Sequence, residues 1–149
     1  MSVSVWGIDE RRPVRVKNGA EFPCRIDRSK DPTDVLNWNQ GNAFAVLRLL
    51  GLLPEDGDDT DMFGQVSIAD ARRALMVAWA RFARVGPGLV REEQTTYGRP
   101  VERDGVVVLK PVRVWVGGID LAYLSRQLQA WGETVEALAG RGATHVCWG

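Results

Sequence analysis

The sequence predicts an α+β fold: a mainly antiparallel sheet built from hairpins, with three helices packed largely on one face. Two observations lead to this prediction. Predicted strands come in runs instead of alternating with helices, in the order β-β-β, α, α, β-hairpin-β, α, β. The hydrophobic fraction of 45% and the charged fraction of 26% are those of a globular chain. A length of 149 residues suits a single domain over 1–149.

The first hairpin is predicted from alternating apolar and polar residues near the N-terminus. A two-residue turn would place apolar residues opposite polar ones. A three-residue loop that ends at Gly19 pairs Val14 with Phe22 and sets Arg15 beside Glu21 on the solvent face. We therefore predict the three-residue loop, with Gly19 in the left-handed conformation.

The first two helices are predicted from cap residues and apolar spacing. Asn42 is the expected N-cap of the first helix, and Gly51 is its expected stop. The second helix is expected from about Ile68 to Arg84, behind an N-cap at Ser67. Its predicted buried stripe consists of Ile68, Ala71, Leu75, Trp79 and Phe82.

The third helix has the clearest apolar stripe in the chain. Asp120 is its expected N-cap, and Gly140 is expected to end it. Its apolar residues recur at alternating steps of three and four: Leu121, Leu124, Leu128, Trp131, Val135 and Leu138. This helix is predicted to pack one face on a core. A short strand over 144–148 then closes the chain.

A second β region lies between the last two helices. Residues 89–109 are predicted to form a hairpin that protrudes from the domain. Its turn is Asp104-Gly105, a dipeptide that favours two-residue turns, and it joins strands at 101–103 and 106–109. Alternating valines predict a further strand over 112–116.

The best candidate for a binding site is the turn before the first helix. It comprises Asn37, Trp38, Asn39, Gln40 and Asn42. Amide groups beside a helix N-terminus supply donors, acceptors and partial positive charge, and Trp38 supplies a stacking face. Such a site suits a nucleotide, a phosphate or a carboxylate. The further residues expected near it are Asp120, Tyr123 and His145.

The same turn also has a purely structural interpretation. Asparagines cap helices and form turns, and Trp38 has the size to fill the core. The exposure of Trp38 separates the two interpretations. A ring that lines an open cleft favours a ligand site, whereas a buried ring favours the structural role.

The acidic segment over 55–61 invites comparison with a calcium-binding loop. Counted from Asp59, however, the fifth position is Phe63, which cannot bind a metal ion. The twelfth position is Asp70, shorter than the usual bidentate glutamate. We interpret the segment as a solvated acidic loop.

The histidine and cysteine content gives no support for a catalytic or metal site. His145 is the only histidine, and Cys24 and Cys147 are the only cysteines. A strand places His145 and Cys147 on one face, but two residues on one strand do not guarantee the contact that a catalytic dyad needs. We expect both thiols to be reduced, His145 to be structural, and the protein to bind no cofactor and no metal.

Charge and hydropathy narrow the classes of partner. Lys plus Arg equals Asp plus Glu at 19 each, so no long-range field draws the chain to nucleic acid or to an anionic membrane. No segment is apolar enough for a signal peptide or a membrane span. We therefore expect a cytoplasmic protein that binds neither nucleic acid nor membrane.

Two function classes remain. The first is a non-catalytic protein–protein interaction or accessory protein, of bacterial or phage type, that binds a protein partner or itself. Six tryptophans and the hairpin over 89–109 favour it, as does the lack of a catalytic motif. The alternative is a small-ligand binding protein, for a nucleotide or an anion, or a small enzyme using the Asn37–Asn42 turn. We rank the first ahead and leave enzymatic activity open.

The layout of the chain also resembles that of small bacterial and phage proteins. The resemblance rests on the Asn-rich turn that enters an apolar helix and on the closing residues Cys147-Trp148-Gly149. It implies no activity.

Overall fold

A computed structural model describes residues 2–53, 62–84, 91–98, 100–109, 111–117 and 120–149. These residues form the predicted α+β fold, with three helices and antiparallel sheets. The helices are α1 (Gln40–Leu49), α2 (Ile68–Phe82) and α3 (Leu121–Gly140). The strands are β1 (Ser2–Arg15), β2 (Glu21–Ile26), β3 (Leu36–Asn39), β4 (Gly64–Ser67), β5 (Arg91–Tyr97), β6 (Val101–Arg103), β7 (Val106–Val108), β8 (Pro111–Gly117) and β9 (His145–Trp148).

The main sheet has five strands, all paired antiparallel, and β1 lies at its centre. Strand β9 pairs along one edge of β1, with Val146 opposite Gly7, and β4 pairs with the far edge of β9. Ile26 of β2 also lies opposite Gly7, so β2 is on the other edge of β1. Strand β3 shares that edge, nearer the N-terminus. Strand β4 was not predicted, because its four residues lie in the short stretch between the acidic segment and α2.

The hairpin of β1 and β2 has the predicted register. Val14 lies opposite Phe22, Arg15 lies opposite Glu21, and Gly19 has a φ of +83°. The guanidinium of Arg15 is 2.9 Å from the carboxylate of Glu21. The three-residue loop is therefore confirmed. Val14 and Phe22 are themselves exposed, so the alternation sets the register here without burying the apolar side.

The helices pack on the sheet face that carries Val3, Val5 and Gly7. A Cβ atom on Gly7 would lie 2.9 Å from the Cβ of Ala143 and 3.1 Å from a methyl carbon of Leu138, so the backbone of β1 comes close to the end of α3. Large side chains fill the space between sheet and helices. The bulkiest of those that are almost fully buried are Trp38, Trp131, Leu47, Leu124, Leu128 and Leu138.

Helix α1 begins earlier than predicted. Its N-cap is Asn39, whose side-chain oxygen accepts a hydrogen bond from the backbone N–H of Asn42 at 2.9 Å. The prediction of Asn42 as the cap is wrong. An N-cap residue is typically extended and accepts from an N–H two or three residues later, and Asn39, which ends a strand, meets both conditions. The predicted stop is confirmed: Gly51 has a φ of +72°, and the N–H of Leu52 donates to Leu47.

Helix α2 has its predicted cap, and four of the five residues of its predicted stripe lie in or against the core: Ile68, Ala71, Leu75 and Phe82. The hydroxyl of Ser67 accepts from the N–H of Asp70 at 3.1 Å. The most deeply buried residues of α2 are alanines: Ala71, Ala74 and Ala78. Trp79, predicted to be buried, is 38% exposed. Small side chains let α2 approach α3 closely, and the indole N–H of Trp131 donates to the carbonyl of Ala71. The prediction is therefore wrong only at Trp79, and Ala74 and Ala78 are buried in addition to the predicted stripe.

Helix α3 follows its predicted stripe and cap. The side chain of Asp120 accepts from the N–H of Ala122 at 3.0 Å. The helix ends at Gly140, as predicted. It ends in a Schellman motif, in which Gly142 has a φ of +88° and the N–H of Ala143 donates to Leu138.

The second β region forms two further ladders. Strand β5 pairs with β8 over their full length, and β6 pairs with β7. Asp104 and Gly105 have φ values of +53° and +76°, as a type I′ turn requires, so the predicted turn is confirmed. Within the described residues, these strands pair only with one another. We call residues 91–98, 100–109 and 111–117 the β arm. No described helix is long and apolar enough to cross a membrane.

Candidate functional site

The alternation of β3 separates the residues of the predicted Asn-rich site. Asn37 and Asn39 are exposed, whereas Trp38 between them is 1% exposed. The indole Nε1 of Trp38 donates to the side-chain oxygen of Gln127 at 2.8 Å. Trp38 therefore spans from the sheet to α3 within the core.

Three tryptophans form one cluster in that core. The rings of Trp38 and Trp131 stack with centroids 6.2 Å apart and planes 20° apart. Trp148 meets Trp131 edge to face at 6.4 Å. Aromatic pairs in these arrangements add to the stability given by burial. In this structure Trp38 offers no face on which a ligand can stack.

Two other members of the predicted site do lie together. The side-chain amide of Asn42 donates to the hydroxyl of Tyr123 at 3.0 Å. Tyr123 is in the first turn of α3, which Asp120 caps. A surface cavity of about 410 Å³ lies at the start of α1, where Gln40 and Gly41 are among its lining residues. The structure therefore brings Asn42 and Tyr123 into contact, with Asp120 close by in sequence.

His145 lies far from that turn. It is opposite Ile8 on β1, whereas Asn39 is opposite Ser2, six residues earlier along the same strand. At about 3.3 Å per residue this separation is about 20 Å. The ring nitrogen Nδ1 of His145 lies 3.0 Å from the hydroxyl of Thr144. The structure does not bring His145 to the Asn-rich turn.

Cys147 shares a sheet face with His145, but it does not supply a nucleophile. Burial raises the pKa of the Cys147 thiol to about 11, so the thiol stays protonated at neutral pH. Both cysteines are free. Among the described residues, no group of three or more metal-binding side chains is positioned to hold a metal ion.

The acidic segment that was compared with a calcium-binding loop lies outside the described residues, because residues 54–61, which include Asp59, are not among them. The hydroxyl of Ser67 and the carboxylate of Asp70, at the other end of the proposed loop, bond to each other at 2.9 Å at the start of α2.

The β arm presents the most concentrated exposed apolar surface among the described residues. Val106 and Val107 are each 62% exposed. The other exposed apolar residues at this end of the arm are Val101, Val108 and Leu109. Apolar residues on a two-stranded hairpin have no core to enter, and their clustering is typical of an interaction surface.

The hairpin geometry also determines which backbone groups are available for pairing. Arg103 and Val106 flank the two-residue turn and form the closing pair, in which each residue bonds to the other. The next pair, Glu102 and Val107, is therefore a non-hydrogen-bonded pair. The N–H and C=O of Val107 consequently point away from β6, toward the outer edge of β7.

The sequence did not identify Gln127 as a partner of the candidate turn. Tyr123 and Gln127 are four residues apart, and so lie on one side of α3. They contact Asn42 and Trp38 respectively. This spacing was visible in the sequence, but only the packing of α3 against β3 shows which residues it meets.

Comparisons of this chain with protein-family models, with curated proteins and with solved structures found no match.

Proposed function

We propose that this protein is a non-catalytic protein–protein interaction protein whose β arm pairs with the β arm of a second copy. The observation that carries the proposal is the exposed valine edge of β7. Val106, Val107 and Val108 follow one another along that edge, and all three are exposed.

The small size of the hairpin of β6 and β7 supports this pairing. A two-stranded hairpin in water is at best marginally stable, because it has too little apolar surface to bury. Strands β6 and β7 form such a hairpin. Pairing of β7 with β7 of a second copy makes a four-stranded sheet and brings the valines of both copies together. An open strand edge also supplies backbone donors and acceptors to a partner strand.

A second copy fits this edge for a specific reason. Antiparallel pairing about a two-fold axis at Val107 places Val107 opposite its counterpart. It also places Val106 of each copy opposite Val108 of the other. Every pair between the two β7 strands is then apolar. Because the outward backbone groups belong to Val107, the two Val107 residues exchange both hydrogen bonds.

The small-ligand alternative has less support from the same structure. It relied on Trp38 as a stacking face, and that ring is buried in the core. Asn39 and Asn42 have bonding partners within the protein. In the part of the chain that the structure describes, the cavity at the start of α1 is what still supports a ligand site at the Asn-rich turn.

The proposal includes a cytoplasmic location and a bacterial or phage origin. Two free cysteines support the location, because reducing compartments keep thiols unpaired. The function that follows is an accessory or scaffolding role, in which the β arm forms a dimer.

Sedimentation equilibrium tests the proposal. We expect the unmodified protein to show a mass that rises from 16.5 kDa toward twice that value with concentration. Val107→Lys places a charge at the centre of the proposed contact, and we expect it to weaken the dimer at least about tenfold. Met76→Lys is the matched control, because Met76 is 74% exposed on α2, outside the arm. A monomer at all concentrations, or equal effects of the two variants, would refute the proposal.

A further inference from the structure

A second surface cavity lies beside the main sheet, on the edge formed by β2. Its volume is about 370 Å³, within the range of small-ligand sites. Three arginines from distant parts of the chain line it: Arg12, Arg25 and Arg141. Asp9 and Asp27 also contribute to its wall. It is separate from the β arm and from the Asn-rich turn.

An irregularity in β1 shapes this cavity. Asp9 lies opposite Cys24, and the next pair is Pro13 with Pro23. Residues 10–12 of β1 are therefore extra residues, with no residue of β2 opposite them. Bulges of this kind redirect side chains and are common beside binding sites. Here the extra residues, 10–12, include Arg11 and Arg12.

Asp9 organises the arginines of the bulge. Asp9 is 2% exposed, and its Oδ1 accepts from Nε of Arg11 at 2.9 Å and from the Arg11 backbone N–H at 3.1 Å. Its Oδ2 lies 3.4 Å from Nε of Arg12. The hydrogen bond from Arg11 holds the pKa of Asp9 below its usual value, so this carboxylate is charged at neutral pH. The buried carboxylate of Asp9 thus orients the guanidinium groups of Arg11 and Arg12.

Residues at the end of α3 also contact the bulge and line the cavity. Arg11 also donates to the carbonyl of Gly142 at 3.0 Å, which joins the bulge to the last turn of α3. Arg141, next to Gly142, lines the cavity. No described acidic side chain forms an ion pair with Arg141. The guanidinium of Arg25 is 3.2 Å from Asp27.

The charges around the cavity do not balance. Three arginines, at 12, 25 and 141, line the cavity together with the carboxylates of Asp9 and Asp27, which leaves an excess of one positive charge among the lining residues. Guanidinium groups present paired N–H donors that match the oxygens of phosphate.

We propose that this cavity binds the phosphate group of a small phosphorylated molecule. Arg141 and Arg12 supply the direct contacts, and Asp9 acts as a positioning residue through Arg11 and Arg12. The proposal does not depend on the pairing of β arms, since none of its residues belongs to the arm.

Isothermal titration calorimetry with inorganic phosphate, at constant ionic strength, tests this site. We expect saturable binding by the unmodified protein and about tenfold weaker binding by Arg141→Gln. Arg141 is exposed, so its loss does not threaten the fold. Arg84→Gln is the matched control, because Arg84 is exposed at the end of α2 and does not line the cavity. Acetate, the carboxylate probe, is expected to bind at least about tenfold more weakly than phosphate.

A second measurement locates the binding. Cys24 lines the cavity, whereas Cys147 is buried, so neutral iodoacetamide should alkylate Cys24 first. We expect phosphate to slow that alkylation in the unmodified protein and not in Arg141→Gln. No heat of binding, equal affinity of Arg141→Gln and Arg84→Gln, or acetate binding as tight as phosphate would each overturn the assignment.

Discussion

The indole nitrogen of Trp38 donates to the side-chain oxygen of Gln127 at 2.8 Å, and this bond ties β3 to α3. The ring of Trp38 also stacks on Trp131, which lies one helical turn farther along α3. Strand β3 is therefore held to α3 by one polar and one aromatic contact. These contacts make Trp38 a structural residue of the core.

Loss of the acceptor on Gln127 should destabilise the protein. Gln127→Leu leaves the buried N–H of Trp38 without a partner, which costs about 1–3 kcal/mol of unfolding free energy. Gln127→Glu retains an acceptor oxygen at the same position and should cost less. Chemical denaturation measures both changes. A loss below about 0.5 kcal/mol for Gln127→Leu would show that the bond is not needed.

Asp9 should make stability depend on pH in the acid range. Its pKa is lowered in the folded state by the hydrogen bond from Arg11, relative to an ordinary value of 3.8. A lowered pKa stabilises the fold at every pH above the unfolded-state value, and this contribution is lost as the pH falls through the folded-state value.

Asp9→Asn removes that titrating group. We expect the variant to be less stable than the unmodified protein at pH 7, with the difference shrinking as the pH falls below about 4. Urea denaturation at a series of pH values gives the comparison. A difference that stays constant from neutral to strongly acid pH would contradict the role of the Asp9 charge.

The end of α3 offers a matched pair of glycines. Gly142 has a φ of +88° in the Schellman motif, whereas Gly140 is the last residue of the helix. A Cβ atom at either position would meet no other atom within 4 Å. Only backbone conformation therefore distinguishes the two sites.

Alanine should have opposite effects at these positions. Gly142→Ala should destabilise by about 1 kcal/mol, because a side chain disfavours the left-handed conformation. Gly140→Ala should stabilise by up to about 1 kcal/mol, because alanine favours the helix. Thermal or chemical denaturation measures the change in unfolding free energy for each variant. Equal effects of the two substitutions would contradict the assigned end of the helix.

Local patterns in the sequence were enough to predict much of the fold. The register at Val14 and Phe22, the type of turn at Asp104-Gly105 and the apolar stripe of α3 all follow from alternation, dipeptide preference or helical spacing. Each of these signals resides in residues close together in the chain, so no tertiary information is needed.

The errors came from features that depend on distant partners. The cap of α1 moved to Asn39 because β3 extends to that residue, and strand pairing with β1 causes that extension. On α2, Trp79 is exposed whereas Ala74 and Ala78 are buried, and helical spacing alone did not distinguish these positions. The cavity at Asp9 was missed because its arginines lie far apart in the sequence and meet only through the bulge of β1.

Disulfide cross-linking at position 107 tests the pairing of two β arms most directly. The two Val107 residues are proposed to face each other as a hydrogen-bonded pair, with Cα atoms about 5.5 Å apart, a separation that a disulfide spans. Cys24→Ser removes the other accessible thiol, and Met76→Cys in the same background is the control. We expect mild oxidation to link Val107→Cys into a covalent dimer and to leave Met76→Cys monomeric. A Val107→Cys variant that stays monomeric, or that cross-links no better than Met76→Cys, would contradict the proposed self-association.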